Sequence, residues 1–169
     1  MSTSYTLEIT VISGENIRKN RKPVKKDAFV VIRTDSHKFY TTKMDAGGGS
    51  YPAWNEKVAV DMPMHARFIT VEVQCKTSGG SKTVGTARVP LSDFVGGYVP
   101  QNYLHFLSYR LRDCNGERNG IINISVRAKV PEYASCSRAE IGVPLALGET
   151  YSGGVVTGVP IWCAYPAKF

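Results

Sequence analysis

The sequence predicts an all-β fold, an eight-stranded antiparallel β-sandwich, with a flexible C-terminal tail. Two observations carry this expectation. Short apolar–polar alternations punctuated by glycine, proline and serine recur along residues 5–129, and no amphipathic helical pattern longer than ten residues interrupts them. The 169 residues, 43% of them hydrophobic, suffice for one core and an extension but not for two ordinary domains. The expected division is a folded domain over 1–130 and a tail over 131–169.

Residues 5–13 (Tyr-Thr-Leu-Glu-Ile-Thr-Val-Ile-Ser) alternate with period two and read as the first strand. Residues 28–34 and 37–43 follow, joined by an Asp35-Ser36 turn suited to a tight hairpin. After the Gly47-Gly48-Gly49-Ser50 loop come strands at 55–60, 68–75 and 83–89. Residues 105–112 and 120–129 complete the set around an Asp113-Cys114-Asn115-Gly116 turn. Segment 90–104 breaks the rhythm, and its Gly96-Gly97 pair and Pro100 suit a packed loop that starts with one helical turn at most. Beyond residue 130 charges thin out; 131–154 reads as a flexible linker, and the apolar block from Val155 to Pro166 as a docking segment or an extra layer on the sandwich.

Several function classes fall away on composition. No run of about eighteen apolar residues spans a bilayer, and the first residues lack the layout of a signal peptide, so neither insertion nor export is expected. Cys75, Cys114, Cys136 and Cys163 form no C-x-x-C pair and are expected as reduced thiols. His37, His65 and His105 show no zinc-ligand spacing, and no nucleophile–base pattern stands out, so an enzyme is not expected.

The net charge of +7 is uneven: residues 1–130 hold 19 basic against 11 acidic side chains, the tail 2 against 3. An anionic partner is implied, with the charge alone leaving lipid, nucleic acid and acidic protein open.

Three blocks then carry a resemblance. Asp27-Ala28-Phe29-Val30-Val31, Tyr51-Pro52-Ala53-Trp54-Asn55-Glu56, and Val84-Gly85 with Val89-Pro90-Leu91 resemble, in order and spacing, the sequence blocks of C2 domains. The C-terminal Val-Thr-Gly-Val-Pro-Ile-Trp-Cys-Ala-Tyr and the run from Asn20 to Lys26 are similar to a plant subgroup, the BON-associated proteins. The resemblance implies a C2-type sandwich, peripheral docking on membranes, a membrane-bound copine partner and restraint of cell death and defence. Trp54 is expected in the core, and Asn55 and Glu56 as loop-fixing groups.

The resemblance also implies a calcium site of about five carboxylates from two loops at one end. Most are absent. Arg21 stands where the first Asp is expected, and Gln74 to Gly85 contain no carboxylate. Asp27 and Asp45 are the residual calcium candidates, and Asp27 is better explained as a surface ion pair with Lys25 or Lys26 than as a calcium ligand. No high-affinity calcium site and no other cofactor are expected.

Cations replace the carboxylates. Arg18, Lys19, Arg21, Lys22, Lys25 and Lys26 place six positive charges in nine positions, and Lys76 and Lys82 are expected beside them. Each contributes about 1 kcal/mol near an anionic leaflet. The run contains no aromatic residue for base stacking, which disfavours nucleic acid. Lys38, Tyr40 and Lys43 form a possible phosphoinositide face, and Trp162 and Tyr165 are candidate partner anchors in the tail. The expected function is thus a non-enzymatic adaptor in the cytoplasm, peripheral on the inner face of the plasma membrane. The alternatives are a protein-interaction module without a lipid role and a calcium-dependent phospholipid binder.

Overall fold

Tyr5, Leu7, Ile9 and Val11 alternate with Thr6, Glu8 and Thr10, and this period of two buries four apolar side chains on one face of β1 (Ser4–Glu15). The computed structural model describes residues 4–34, 38–96, 98–100 and 102–129. Two short strands follow, β2 (Arg18–Lys19) and β3 (Lys22–Pro23), then β4 (Ala28–Arg33), β5 (Phe39–Thr41), β6 (Ala53–Pro63), β7 (Phe68–Thr77), β8 (Gly80–Pro90), β9 (Leu104–Arg112) and β10 (Arg118–Lys129).

Every strand pairing is antiparallel among the described residues. Hydrogen bonding runs in the order β5-β4-β7-β8-β9-β10-β1-β6, but β8 and β9 share only the pair Thr86 and Arg112. That single link is a corner. It folds the array into two four-stranded sheets whose inner faces share one core: Val30 and Ile32, Val71 and Val73 from one side, Leu7 and Ile9, Ile122 and Ile124 from the other. Fully burying each such side chain contributes about 1.5–3 kcal/mol. At the corner Gly85 lies so close to Leu111 that a Cβ there would sit 2.9 Å from Leu111 Cβ. The glycine of the Val84-Gly85 block is therefore a packing requirement.

The eight predicted strands are present as the principal eight, and the Asp113 turn is closed by Gly116 N–H donating to the Asp113 carbonyl at 3.0 Å. The expected strand at 37–43 is shorter, Phe39–Thr41. The one helical turn of segment 90–104 is a 3-10 turn, Leu91–Asp93; it buries Leu91 and Phe94 and is tied to β9 by Tyr109 Oη, which donates to Asp93 Oδ2 at 2.7 Å. Burial, and then this bond, push the Tyr109 phenol above its usual range.

Trp54 is half-buried against the core and its Nε1 donates to the Ala28 carbonyl at 3.0 Å; Glu56 Oε2 accepts from the Lys43 amide at 2.8 Å. Among the described residues no helix is long and apolar enough to cross a membrane. The Asp35-Ser36 turn, the linker, Cys136, Cys163, Trp162 and Tyr165 lie outside the described residues.

Candidate functional site: a basic hairpin between two clefts

The basic run is not an open loop but a miniature hairpin. Arg18 pairs with Pro23 and Lys19 with Lys22, and the two residues between, Asn20 and Arg21, have φ of 51° and 63°. Positive φ at both central positions is what a tight primed hairpin turn requires, and Asn tolerates it better than most residues. Ile17 and Val24, both buried, root the hairpin in the core, with Val24 N–H donating to the Ile17 carbonyl at 3.1 Å. Asn119, itself buried, anchors the base. Its Oδ1 accepts from the Arg18 amide at 2.9 Å, while its Nδ2 donates to the Arg18 carbonyl at 2.6 Å and also to the Val84 carbonyl. Apolar residues and one amide side chain thus hold a ridge whose cations face outward.

The tip of the β7–β8 hairpin meets this ridge: Lys82 Nζ donates to Asn20 Oδ1 at 3.4 Å. On one side lies a cleft of about 450 Å³ walled by Lys19, Lys22, Lys25, Lys26 and Lys76, floored by Val24 and Cys75, with no carboxylate in its lining. On the other lies a cleft of about 540 Å³ lined by Arg18, Lys19, Arg21 and Lys82 together with Asp113 to Asn115 and Glu117 to Asn119 of the β9–β10 turn. The eight cations singled out in the sequence therefore line these two clefts, and Lys19 belongs to both. The β9–β10 wall, with Arg118 and Glu117, is marked by no local pattern in the sequence. The signal that could have found it is strand direction, since alternation brings the Asp113 turn to the same end as the β7–β8 tip.

The residues do not fit a calcium ion. Asp45 has both carboxylate oxygens occupied, Oδ1 accepting from the amides of Gly47 (2.9 Å) and Gly48 (3.1 Å), Oδ2 from that of Ala53 (2.8 Å). These bonds, those of Gly47 and Ala53 foremost, hold its carboxyl below the usual carboxylate range. Asp45 is a loop clamp. Asp27, at φ 58°, has no ion pair among the described residues, so the surface pair considered for it is absent there. Its backbone carbonyl accepts from the Lys76 amide at 3.1 Å. Around them stand lysines, and a hard cation needs several oxygens at once.

The possible phosphoinositide face is corrected by strand alternation. Tyr40 pairs with Ile32 and packs against the core, whereas Phe39 and Thr41 occupy the opposite face of β5. Lys38 and Lys43 are exposed, but Tyr40 does not join them on an outward surface.

Comparison with known proteins agrees with this architecture. Residues 5–106 match the C2 domain family model. The chain is 41% identical over 196 aligned positions to BON1-associated protein 2 of Arabidopsis thaliana, covering 95% of this chain and 94% of the relative. Among solved structures, a C2 domain of plant Extended Synaptotagmin 1 superposes with a TM-score of 0.65 at 16% identity, covering 78% of this chain and 98% of that one. A C2 domain-containing protein from a putative elicitor-responsive gene gives 0.60 at 18% identity, covering 75% and 90%. The chain belongs to the C2 domain family, in the branch that includes BON1-associated protein 2.

Proposed function

We propose that the chain is a non-enzymatic adaptor that attaches to anionic phospholipid membranes through its basic hairpin, without calcium, and there engages a protein partner. The observation that carries this reading is the lysine cleft: five lysines converge around a small apolar floor and no carboxylate lines it. In a calcium-dependent member the ion makes this end positive; here the side chains do so permanently. Five lysines at about 1 kcal/mol each give reversible, salt-sensitive attachment to the cytoplasmic leaflet.

The relative's name points to a BON1 partner, and by resemblance the partner here is a copine, with restraint of cell death and defence as the outcome. Trp162 and Tyr165 are the tail residues proposed to contact it.

Co-sedimentation with phosphatidylserine vesicles at low salt tests the lipid reading. Wild type is expected in the pellet, and the triple variant Lys22→Glu, Lys25→Glu, Lys26→Glu in the supernatant. Pelleting of the triple variant at the wild-type level would overturn it. Deletion of residues 131–169 is expected to spare vesicle binding and abolish copine capture.

A further inference from the structure

The sandwich leaves one long strand edge open. We propose that the outer edge of β9, from Leu104 to Arg110, takes an extended segment of the protein partner as an added strand, and that this segment carries apolar side chains flanked by carboxylates. The proposal rests on the adaptor reading above and deepens it by giving the partner a seat on the fold.

β9 pairs with β10 without interruption from Leu104 to Arg110, but on its other side it meets β8 only at Arg112. Among the described residues no other backbone hydrogen bond reaches that stretch. An open edge is a template for another chain, and folded proteins protect it with short strands, charged side chains, proline or bulges. The other edges are protected in this way. β5 has three residues; β6 carries exposed Lys57 and Asp61 and ends on Pro63; β8 carries exposed Arg88 and ends on Pro90. The open stretch of β9 has no lysine, proline or bulge. Its outward side chains begin with Leu104 and Phe106, and Phe106 is 72% exposed.

Polar groups bordering the strip select the chemistry of its occupant. His105 Nε2 and Arg127 Nε are buried without a hydrogen-bond partner among the described residues, a rare condition in a folded chain that a docked strand relieves. Arg127 is the cross-strand neighbour of Leu104 and forms no ion pair among the described residues. Glu8, its neighbour on β1, is held instead by Lys129 at 2.7 Å. Arg127 and Arg110 thus flank the apolar strip, and a partner with a carboxylate at each end and apolar side chains between them is complementary to it. A second copy of this chain fits less well. Its β9 brings the same arginines, and residues 1–130 of each copy hold 19 basic against 11 acidic side chains. At about 3.3 Å per strand residue, Phe106 lies roughly 20 Å along β9 from the Asp113 turn at the basic end. The partner seat therefore stays clear of the membrane-facing hairpin.

Purified copine is the probe, with its affinity for the full chain read by biolayer interferometry and amide hydrogen exchange of the chain read with and without it. Residues 104–110 are expected to gain protection in the complex, the signature of an added strand. Phe106→Ser and Arg127→Glu are each expected to weaken copine binding roughly tenfold, and Phe106→Leu to recover part of the loss. Phosphatidylserine vesicle binding and the thermal melt of Phe106→Ser should stay at the wild-type level, since the ring is exposed. Wild-type copine affinity of both variants, or unchanged exchange of residues 104–110 in the complex, would overturn the β9 seat while copine binding still stood. A dimer of the free chain that Phe106→Ser dissolves would make a second copy the occupant. Protection of residues 104–110 in the free chain that is lost on deleting residues 131–169 would make it the tail. Either result overturns the proposal. Absence of copine binding by the wild type would overturn the partner reading, and this seat with it.

Discussion

Asn119 grips Arg18 by both of its backbone groups, accepting from its amide at 2.9 Å and donating to its carbonyl at 2.6 Å. Residues 101 positions apart are thereby locked in one orientation, and the hairpin that carries the cations is seated on β10. Because Asn119 is buried and also donates to the Val84 carbonyl, its loss leaves several backbone groups unpartnered. Asn119→Ala is expected to cost about 2–3 kcal/mol, read as a lower urea midpoint with little change in slope. Asn119→Asp keeps the acceptor but aims a second carboxylate oxygen at carbonyls, so it should be no more stable than the alanine variant.

Gly120, next in the chain, has φ of 80°, and a Cβ there would clash with the Glu15 carbonyl oxygen. Gly120→Ala combines a strained backbone with a clash against main chain, which cannot yield as a flexible side chain would. A loss of about 1–3 kcal/mol in chemical denaturation is expected. Gly47→Ala, where the added methyl meets nothing within 4 Å, serves as the control and should be near neutral.

Much of the sandwich is legible in the sequence because alternation is a local signal. β1, β7 and β10 each write their buried face into every second residue, and turn residues such as Asp113 and Gly116 mark where they stop. The functional end is legible only in part. The charges of residues 18–26 are visible in the sequence, but their folding as a hairpin depends on Asn119 and on burial of Ile17 and Val24. Arg118 joins the site through strand order, which no local pattern contains. Asp45 is a metal candidate by residue type, yet three amides already take its oxygens. Tyr40 groups with Lys38 and Lys43 in sequence, and the pleat turns it inward.

The Asp45 clamp gives stability a dependence on acid pH. Its carboxyl titrates lower in the folded chain than in the unfolded one, so the unfolded chain binds more protons and stability rises with pH in that range. The contribution is complete above the unfolded value, about pH 4, and is lost as pH falls through the lower folded value. Glu8 acts in the same direction, its carboxyl lowered first by the bond from Lys129 at 2.7 Å. Asp45→Asn, which turns an amide donor toward backbone donors, should cost about 1–3 kcal/mol at neutral pH. The double variant with Glu8→Gln should show a flatter acid limb in melting temperature against pH; a limb as steep as wild type would refute the assignment.

Attachment through permanent side-chain charge predicts a particular pattern of small, separable effects. Single replacements Lys22→Ala, Lys25→Ala or Lys76→Ala each remove about 1 kcal/mol, or roughly a fivefold change in vesicle affinity. Because the three lysines act through a shared field rather than one ligand, their effects should add nearly linearly in free energy. Raising salt should shrink wild-type and variant affinities toward one another, since screening acts on the charges that the variants lack. Calcium addition or chelation should move none of these values, because both Asp45 oxygens already accept from backbone amides and residues 74–85 contain no carboxylate. Stronger vesicle binding on adding micromolar calcium would mean that Asp27 and the loop carbonyls assemble a site despite the lysines around them, and permanent charge would then be insufficient to explain attachment.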